Sequence, residues 1–370
     1  MDEEQPDPKA REDLDELMVR LAMIRSEIES EGQPSRRPTG LIALVALLAA
    51  LALSPLLFSG PCIPAEARAD EARAELRKRV YGVDVEDNVL YSASEFGLII
   101  TDVRDPGAAV RLGELEIPGT ALSVTVKDHV AYVCAGPGGL YLVDVSDPGK
   151  PERLGHLDTP GSANQAVVGK GTAFLADGTM GTAILDVRDP RKPVEVGRLE
   201  TADYVRSLWL QGRRLMTAED RAGMRLWKVR GRRRPVLEAT VKIPGQARGL
   251  VVHDGRAYVA AGTAGLAVVD VRRGRRTQVL VTLPVDDTAR GLALLGDDRL
   301  VLADGGEGLK VFDLSRPVGS RWVSRFAAKD GSALRVTTAG HLAFVAYDFR
   351  GVHLWDLTDP LKPLALDLSW

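Results

Sequence analysis

The chain has 370 residues, enough for a large core, with 45% hydrophobic residues and a formal net charge of −3. That near-neutral balance lacks the basic excess of a nucleic-acid binder. Two cysteines, Cys62 and Cys134, are too few for a disulfide framework, and five scattered histidines offer no metal-ligand spacing, so the sequence signals neither a metal nor another cofactor.

Residues 1–40 are polar and acidic. Within them Leu14, Leu17, Leu21, Ile24 and Ile28 alternate steps of three and four, the seam of a short helix. Two readings stay open: an amphipathic helix without a partner, or one that dimerises or docks through residues 14–28. Gly32 and Pro34 end it. Residues 41–58, "LIALVALLAALALSPLLF", carry no charge and reach about the minimum length of a bilayer span.

A cleaved signal peptide is the competing reading, because "ARA" at 67–69 resembles a cleavage site. The polar stretch before the apolar run is far longer than a usual n-region. Cys62 follows Pro61 where a lipoprotein signal needs a small residue. "SRRPTG" resembles a twin-arginine signal but has Pro38, Thr39 and Gly40 where apolar residues belong. The favoured reading is an uncleaved transmembrane anchor at 41–58, followed by a linker at 59–79. Arg36 and Arg37 directly before the span place the N-terminus in the cytoplasm and the remaining chain outside it, in the cell envelope. Arg68, Arg73, Arg77, Lys78 and Arg79 flank the other side from farther away.

From about residue 80 the chain repeats. "GLIITDVRDP", "GLYLVDVSDP" and "GTAILDVRDP" begin at Gly97, Gly139 and Gly181, and looser copies begin at Gly223, Gly265, Gly308 and Gly351. The steps between these glycines are 42, 42, 42, 42, 43 and 43 residues, the mark of a repeat architecture. One copy reads as four short strands: "LSVTVK", "VAYVCA", "LYLVDV" and "ERLGHLDT", separated by turn residues. Four antiparallel strands in about 42 residues match a propeller blade. The expected fold is all-β: a seven-bladed β-propeller over 80–370, preceded by the N-terminal helix and one transmembrane helix. Its blades run at about 80–120, 121–161, 162–201, 202–245, 246–288, 289–331 and 332–370, each contiguous in the chain.

The recurrent Asp102, Asp144, Asp186, Asp270, Asp313 and Asp356 read as turn residues, since aspartate binds nearby backbone N–H groups and a following proline presets φ. Blade 4 has Lys228 in that place. Cys134, in the strand pattern "AYVCAG", reads as a buried, inert thiol. "LYLVDVSDP", "TAILDVRDP" and "LIITDVRDP" resemble the LVIVD repeat, across about residues 80–370 and most specifically in repeats one, two, three and seven. That resemblance implies a propeller of a bacterial or archaeal envelope protein and no particular activity.

Two arginine groups are candidate sites. Aligning the starts of the innermost strands gives Val80, Leu122, Asn164, Arg206, Arg248, Arg290 and Leu334. Three successive arginines at the channel mouth would hold a carboxylate or phosphate. Alternatively they pair with acids in neighbouring turns: Asp203, Glu219, Asp220, Asp286, Asp287, Asp304 or Glu307. On the opposite face, the turns "RGRRRP" (230–235) and "RRGRRT" (272–277) bring Arg230, Arg232, Arg233, Arg234, Arg272, Arg273, Arg275 and Arg276 together, either as an interaction patch for an anionic surface or as solvated turns. "ADGTMG" (176–181) and "ADGGEG" (303–308) lack the ordered oxygen series of a calcium loop and read as turns. The chain thus reads as a membrane-anchored binding or scaffold module for a protein partner or anionic ligand. A channel-mouth enzyme such as a hydrolase is the alternative.

Overall fold

The computed structural model describes residues 79–366, apart from 106, 107, 231, 232, 273, 319, 321, 328–330 and 349. The expected helix at 14–28 and span at 41–58, with the linker up to residue 78, lie outside the described residues. Among the described residues no helix is long and apolar enough to cross a membrane.

The described residues form seven four-stranded antiparallel sheets, each built from four consecutive strands: a seven-bladed propeller with contiguous blades. In blade 2 the strands a to d, inside to outside, are Ser123–Lys127, Val130–Cys134, Leu140–Asp144 and Glu152–Leu157. The period of two along strands b and c explains why they are apolar at nearly every position. Ala131, Val133, Tyr141 and Val143 pack on blade 1, against Tyr91, Ala93, Leu98 and Ile100. Their alternates Tyr132, Cys134, Leu140 and Leu142 pack on blade 3, against Ala173, Leu175, Ala183 and Leu185. The ring closes by the same packing: Val80, Val83, Leu90 and Val103 of blade 1 meet Phe344, Ala346, Val352 and Leu354 of blade 7. In blade 7 the outermost strand is described over Leu364–Leu366, and the rest of the "PLALDLSW" segment, residues 367–370, lies outside the described residues.

The recurrent aspartates act as turn anchors. Asp144 Oδ1 accepts the Ser146 N–H at 3.0 Å and the Ser146 hydroxyl at 2.7 Å. Asp102, Asp186, Asp270, Asp313 and Asp356 each accept the N–H two residues on. The aspartate of the following Asp-Pro repeats this locally: Asp147 Oδ1 accepts from Gly149 N–H at 3.0 Å. Blade 4 departs from the expected turn. Its strands Gly223–Arg230 and Arg233–Val241 run on and pair Arg230 with Arg233, so most of 230–235 is strand.

The leading glycines are needed for backbone reasons. Gly139 has φ +78°, and a Cβ there would lie 2.3 Å from the Leu157 carbonyl oxygen. Gly139→Ala is therefore expected to destabilise the propeller by about 2 kcal/mol. Denaturant titration against the wild type checks this.

Adjacent innermost strands share no continuous ladder, and side chains bridge them. Leu208 N–H donates to Gln165 Oε1 at 2.9 Å, and Val126 N–H to Asp84 Oδ2 at 2.8 Å. Burial pushes the Asp84 carboxyl up from 3.8 to about 6, with the N–H groups of Val126 and Val85 opposing. The folded state thus holds the Asp84 proton more tightly than the unfolded chain. The resulting stabilisation is complete below the unfolded value and is lost as pH rises through about 6. Asp84→Thr, which installs the residue type of Thr125 in blade 2, should make the wild-type-minus-variant stability difference fall between pH 4 and pH 6, read by thermal unfolding (about two units of pH).

Candidate functional site at the channel mouth

Strand directions alternate, so the b–c turns of the blades share one face of the disc with the d–a connections. On this face neighbouring blades are clasped by reciprocal backbone bonds. Ala163 N–H donates to Gly136 O at 2.8 Å, and Gly136 N–H to Ala163 O at 3.1 Å. The same bridge joins Gly178 to Val205, Asp220 to Ala247, Gly262 to Ala289 and Gly305 to Ala333. Ala163, Val205, Ala247, Ala289 and Ala333 are all fully buried. The residue after each of them lies where the innermost strand begins: Asn164, Arg206 and Arg248 directly precede it, and Arg290 and Leu334 are its second residue.

Blade 1 differs from the sequence alignment by one residue. Between the paired Ala93 and Leu98 it has four residues, one fewer than blade 2 has between Cys134 and Leu140, and Gly82 pairs Ala93 where Ser123 pairs Cys134. Tyr81, not Val80, therefore takes the place equivalent to Arg206. Val80 is buried like Ala163.

The three expected arginines do come together. Burial pulls the Arg248 guanidinium below its ordinary value, the positive charges of Arg206 and Arg290 add to that effect, and Asp220 opposes it. Their pairing is unequal. Arg206 donates from Nη2 and Nε to Asp220 Oδ2 at 2.7 and 3.0 Å, and its guanidinium lies 4.9 Å from the Tyr204 ring centroid. The Tyr204 hydroxyl donates to Asn164 Oδ1 at 3.1 Å, tying this corner to blade 3. Among the described residues Arg248 donates to the neutral Gln246 Oε1 alone, at 2.7 Å, and its buried Nε has no partner. Arg290 Nε is likewise buried without a partner, and among the described residues no carboxylate pairs with it.

Of the seven acids offered by the sequence, Asp220 alone meets one of these arginines. Asp203 accepts the N–H groups of Tyr204 and Arg221, and Glu219 accepts from Ala202 N–H and the Thr217 hydroxyl. Asp287 accepts from Gly306 N–H, while Asp304 and Asp286 hold the fully buried Lys310. Asp220 itself is unusual: it sits at φ +37°, where Gly136, Gly178, Gly262 and Gly305 stand in other blades. A side chain there is strained. Its buried Oδ1 has no partner.

Sequence reasoning missed one channel residue. The next position along the innermost strands reads Gly82, Ser123, Gln165, Ser207, Gly249, Gly291 and Arg335. Five of the seven are glycine or serine, and one is a long cation. Arg335 has no hydrogen bond or ion pair among the described residues, and burial pulls its guanidinium below the ordinary value. Comparing this column as well as the preceding one would have found it.

On the opposite face Arg272 is held by Asp270 at 2.7 Å, and Arg275 and Arg276 lie exposed in a 3-10 turn, Gly274–Arg276. Arg230 is also exposed. Arg233 and Arg234 are placed by their backbone on the outer strand of blade 4, and Arg232 and Arg273 lie outside the described residues. Cys134 is a buried free thiol pushed up to about 12, chiefly by burial, consistent with an inert residue. Residues 176–181 and 303–308 form b–c turns, as their sequences suggest. Among the described residues no cluster of three or more His, Cys, Asp or Glu could hold a metal ion.

The LVIVD repeat model matches residues 118–159, 160–201 and 244–272, which cover blades 2 and 3 and part of blade 5. The chain carries LVIVD repeats. No curated protein matches the sequence. Among solved structures, the computationally designed Ika8 protein matches with a TM-score of 0.55 at 10% identity, covering 76% of this chain and 96% of that one. A chain of the Mitotic Checkpoint Complex matches with a TM-score of 0.65 at 14% identity, covering 76% of this chain and 87% of that one. At such identities these likenesses establish the fold alone. The two complete LVIVD matches fall on blades whose Asp-Pro turns are intact.

Asp220→Asn keeps the backbone strain but leaves the three guanidiniums with no carboxylate. It is expected to destabilise the fold by about 1–2 kcal/mol in dilute buffer, a loss that shrinks as salt screens the repulsion. Thermal unfolding over a salt series checks this.

Proposed function

We propose that the protein is a binding module whose channel mouth holds an anionic group of a small ligand or of a protein partner. The observation that carries this reading is the pairing state of the arginines. Arg248 and Arg290 stand together, partly desolvated, with no carboxylate between them. Unpaired buried donors cost stability, and convergent guanidiniums are suited to carboxylate and phosphate oxygens. The propeller fold supports a scaffold role. In the same proposal the apolar run at 41–58 anchors the chain, and Arg36 and Arg37 before it support an extracytoplasmic propeller. The exposed Arg230, Arg275 and Arg276 would give the opposite face a basic surface.

Titration calorimetry of the full chain with acetate and with inorganic phosphate at low ionic strength tests the site. Saturable binding is expected in the wild type. Arg248→Gln/Arg290→Gln should weaken it by at least about tenfold, and Arg206→Gln by less, because Asp220 already occupies that guanidinium. Unchanged affinity in the double variant would show that the site lies elsewhere.

A further inference from the structure

We propose that the channel takes a dianionic ligand, one anionic group seated on Arg248 and Arg290 at the mouth and the other on Arg335 one position deeper. This rests on the anion-binding reading of the mouth and extends it to a ligand class: small molecules with two separated carboxylate-like groups.

The case begins with the path of the strands. A Cβ on Gly291 would lie 2.8 Å from the Arg335 Cα, so blade 7 approaches blade 6 closely just after Arg290. Arg335 thus starts next to the mouth arginines. It lies within electrostatic range of the Cys134 thiol of blade 2, two blades farther round the ring. At this level a Cβ on Gly82 would lie 2.7 Å from the Ser123 Cα, as one on Gly291 would lie 2.8 Å from the Arg335 Cα, so the column faces the next innermost strand, and for Arg335 that strand is in blade 1, where Gly82 presents no side chain. Small residues at the same level leave this reach open. The Cys134 thiol, pushed up to about 12, is neutral and supplies no counter-charge. Asp84, farther along the innermost strand of blade 1, commits its two oxygens to the N–H groups of Val85 and Val126.

Two cationic centres thus stand at two depths, and among the described residues no carboxylate pairs with Arg248, Arg290 or Arg335. A folded chain gains nothing from either, since a guanidinium without a counter-ion costs stability when taken out of water. A monoanion would satisfy one centre, and a ligand with two anionic groups along the channel axis satisfies both. Asp220 narrows the choice. By pairing with Arg206 it leaves Arg248 and Arg290 as the mouth pair open to a single anionic group.

The test is titration calorimetry of the full chain with acetate, malonate, succinate and glutarate at constant ionic strength. The best-fitting dicarboxylate should bind at least about tenfold more tightly than acetate, and Arg335→Gln should bring its affinity down to that of acetate. Arg248→Gln/Arg290→Gln should abolish both. Arg335→Met, which keeps the bulk of the stem, should unfold at a higher temperature than the ligand-free wild type and lose the upward shift on adding dicarboxylate. Dicarboxylates binding no better than acetate, a preference that survives Arg335→Gln, or a less stable Arg335→Met would each overturn the proposal while leaving the mouth site standing. Acetate binding that ignores Arg248→Gln/Arg290→Gln, or no binding of any probe, would overturn the mouth site itself and this extension with it.

Discussion

Everything in this propeller depends on the burial of both faces of strands b and c. A four-stranded blade has two apolar faces and cannot cover either alone. Each blade therefore needs a neighbour on both sides, as stacked repeats do, and a ring is the arrangement that leaves no end uncovered. Alternation along the strands divides the work: in blade 2, Ala131 and Val133 serve one neighbour, and Tyr132 and Cys134 the other. The closure between blades 1 and 7 is apolar and involves no exchanged strand. The polar features are subordinate to this packing. The aspartate turns end strand c where the chain must leave the packed layer, and the backbone clasps at the b–c turns hold neighbouring blades in register.

The same clasps create the channel mouth. By pinning a small buried residue such as Ala247 or Ala289 between blades, they fix the direction of the residue that follows. When three such residues in succession are arginine, the ring brings like charges together, which is unfavourable unless something negative accompanies them. The chain answers only in part. Asp220 is placed at a position suited to glycine and meets Arg206, while Arg248 and Arg290 are left to neutral partners or none. Strain at Asp220 and unpaired donors beside it fall at one place on the fold. Structures tend to depart from local optima where they bind something.

Much of the fold was legible in the sequence. The glycine spacing gave seven units, the alternating runs gave four strands in each, and the role of Asp144 and its counterparts followed from local turn chemistry. Less of the site was legible. The arginine column at 206, 248 and 290 came from the repeat, but its register in blade 1 did not, because a b–c turn one residue shorter moves Tyr81 into the place counted for Val80. The arginines at 230–235 looked like a turn because the Asp-Pro motif is missing there, whereas the strands simply continue and pair Arg230 with Arg233.

The sequence by itself determined what repeats: blade number, strand count, turn residues and the buried apolar runs, all set by interactions within one blade or between identical neighbours. The tertiary structure alone decided what breaks the repeat. Which carboxylate meets Arg206 depends on a b–c turn 14 residues on in the same blade, and which guanidiniums stay unpaired depends on side chains that the ring brings together from successive blades. Periodicity carries no information about such convergence. It exists only once inter-blade packing has closed the ring.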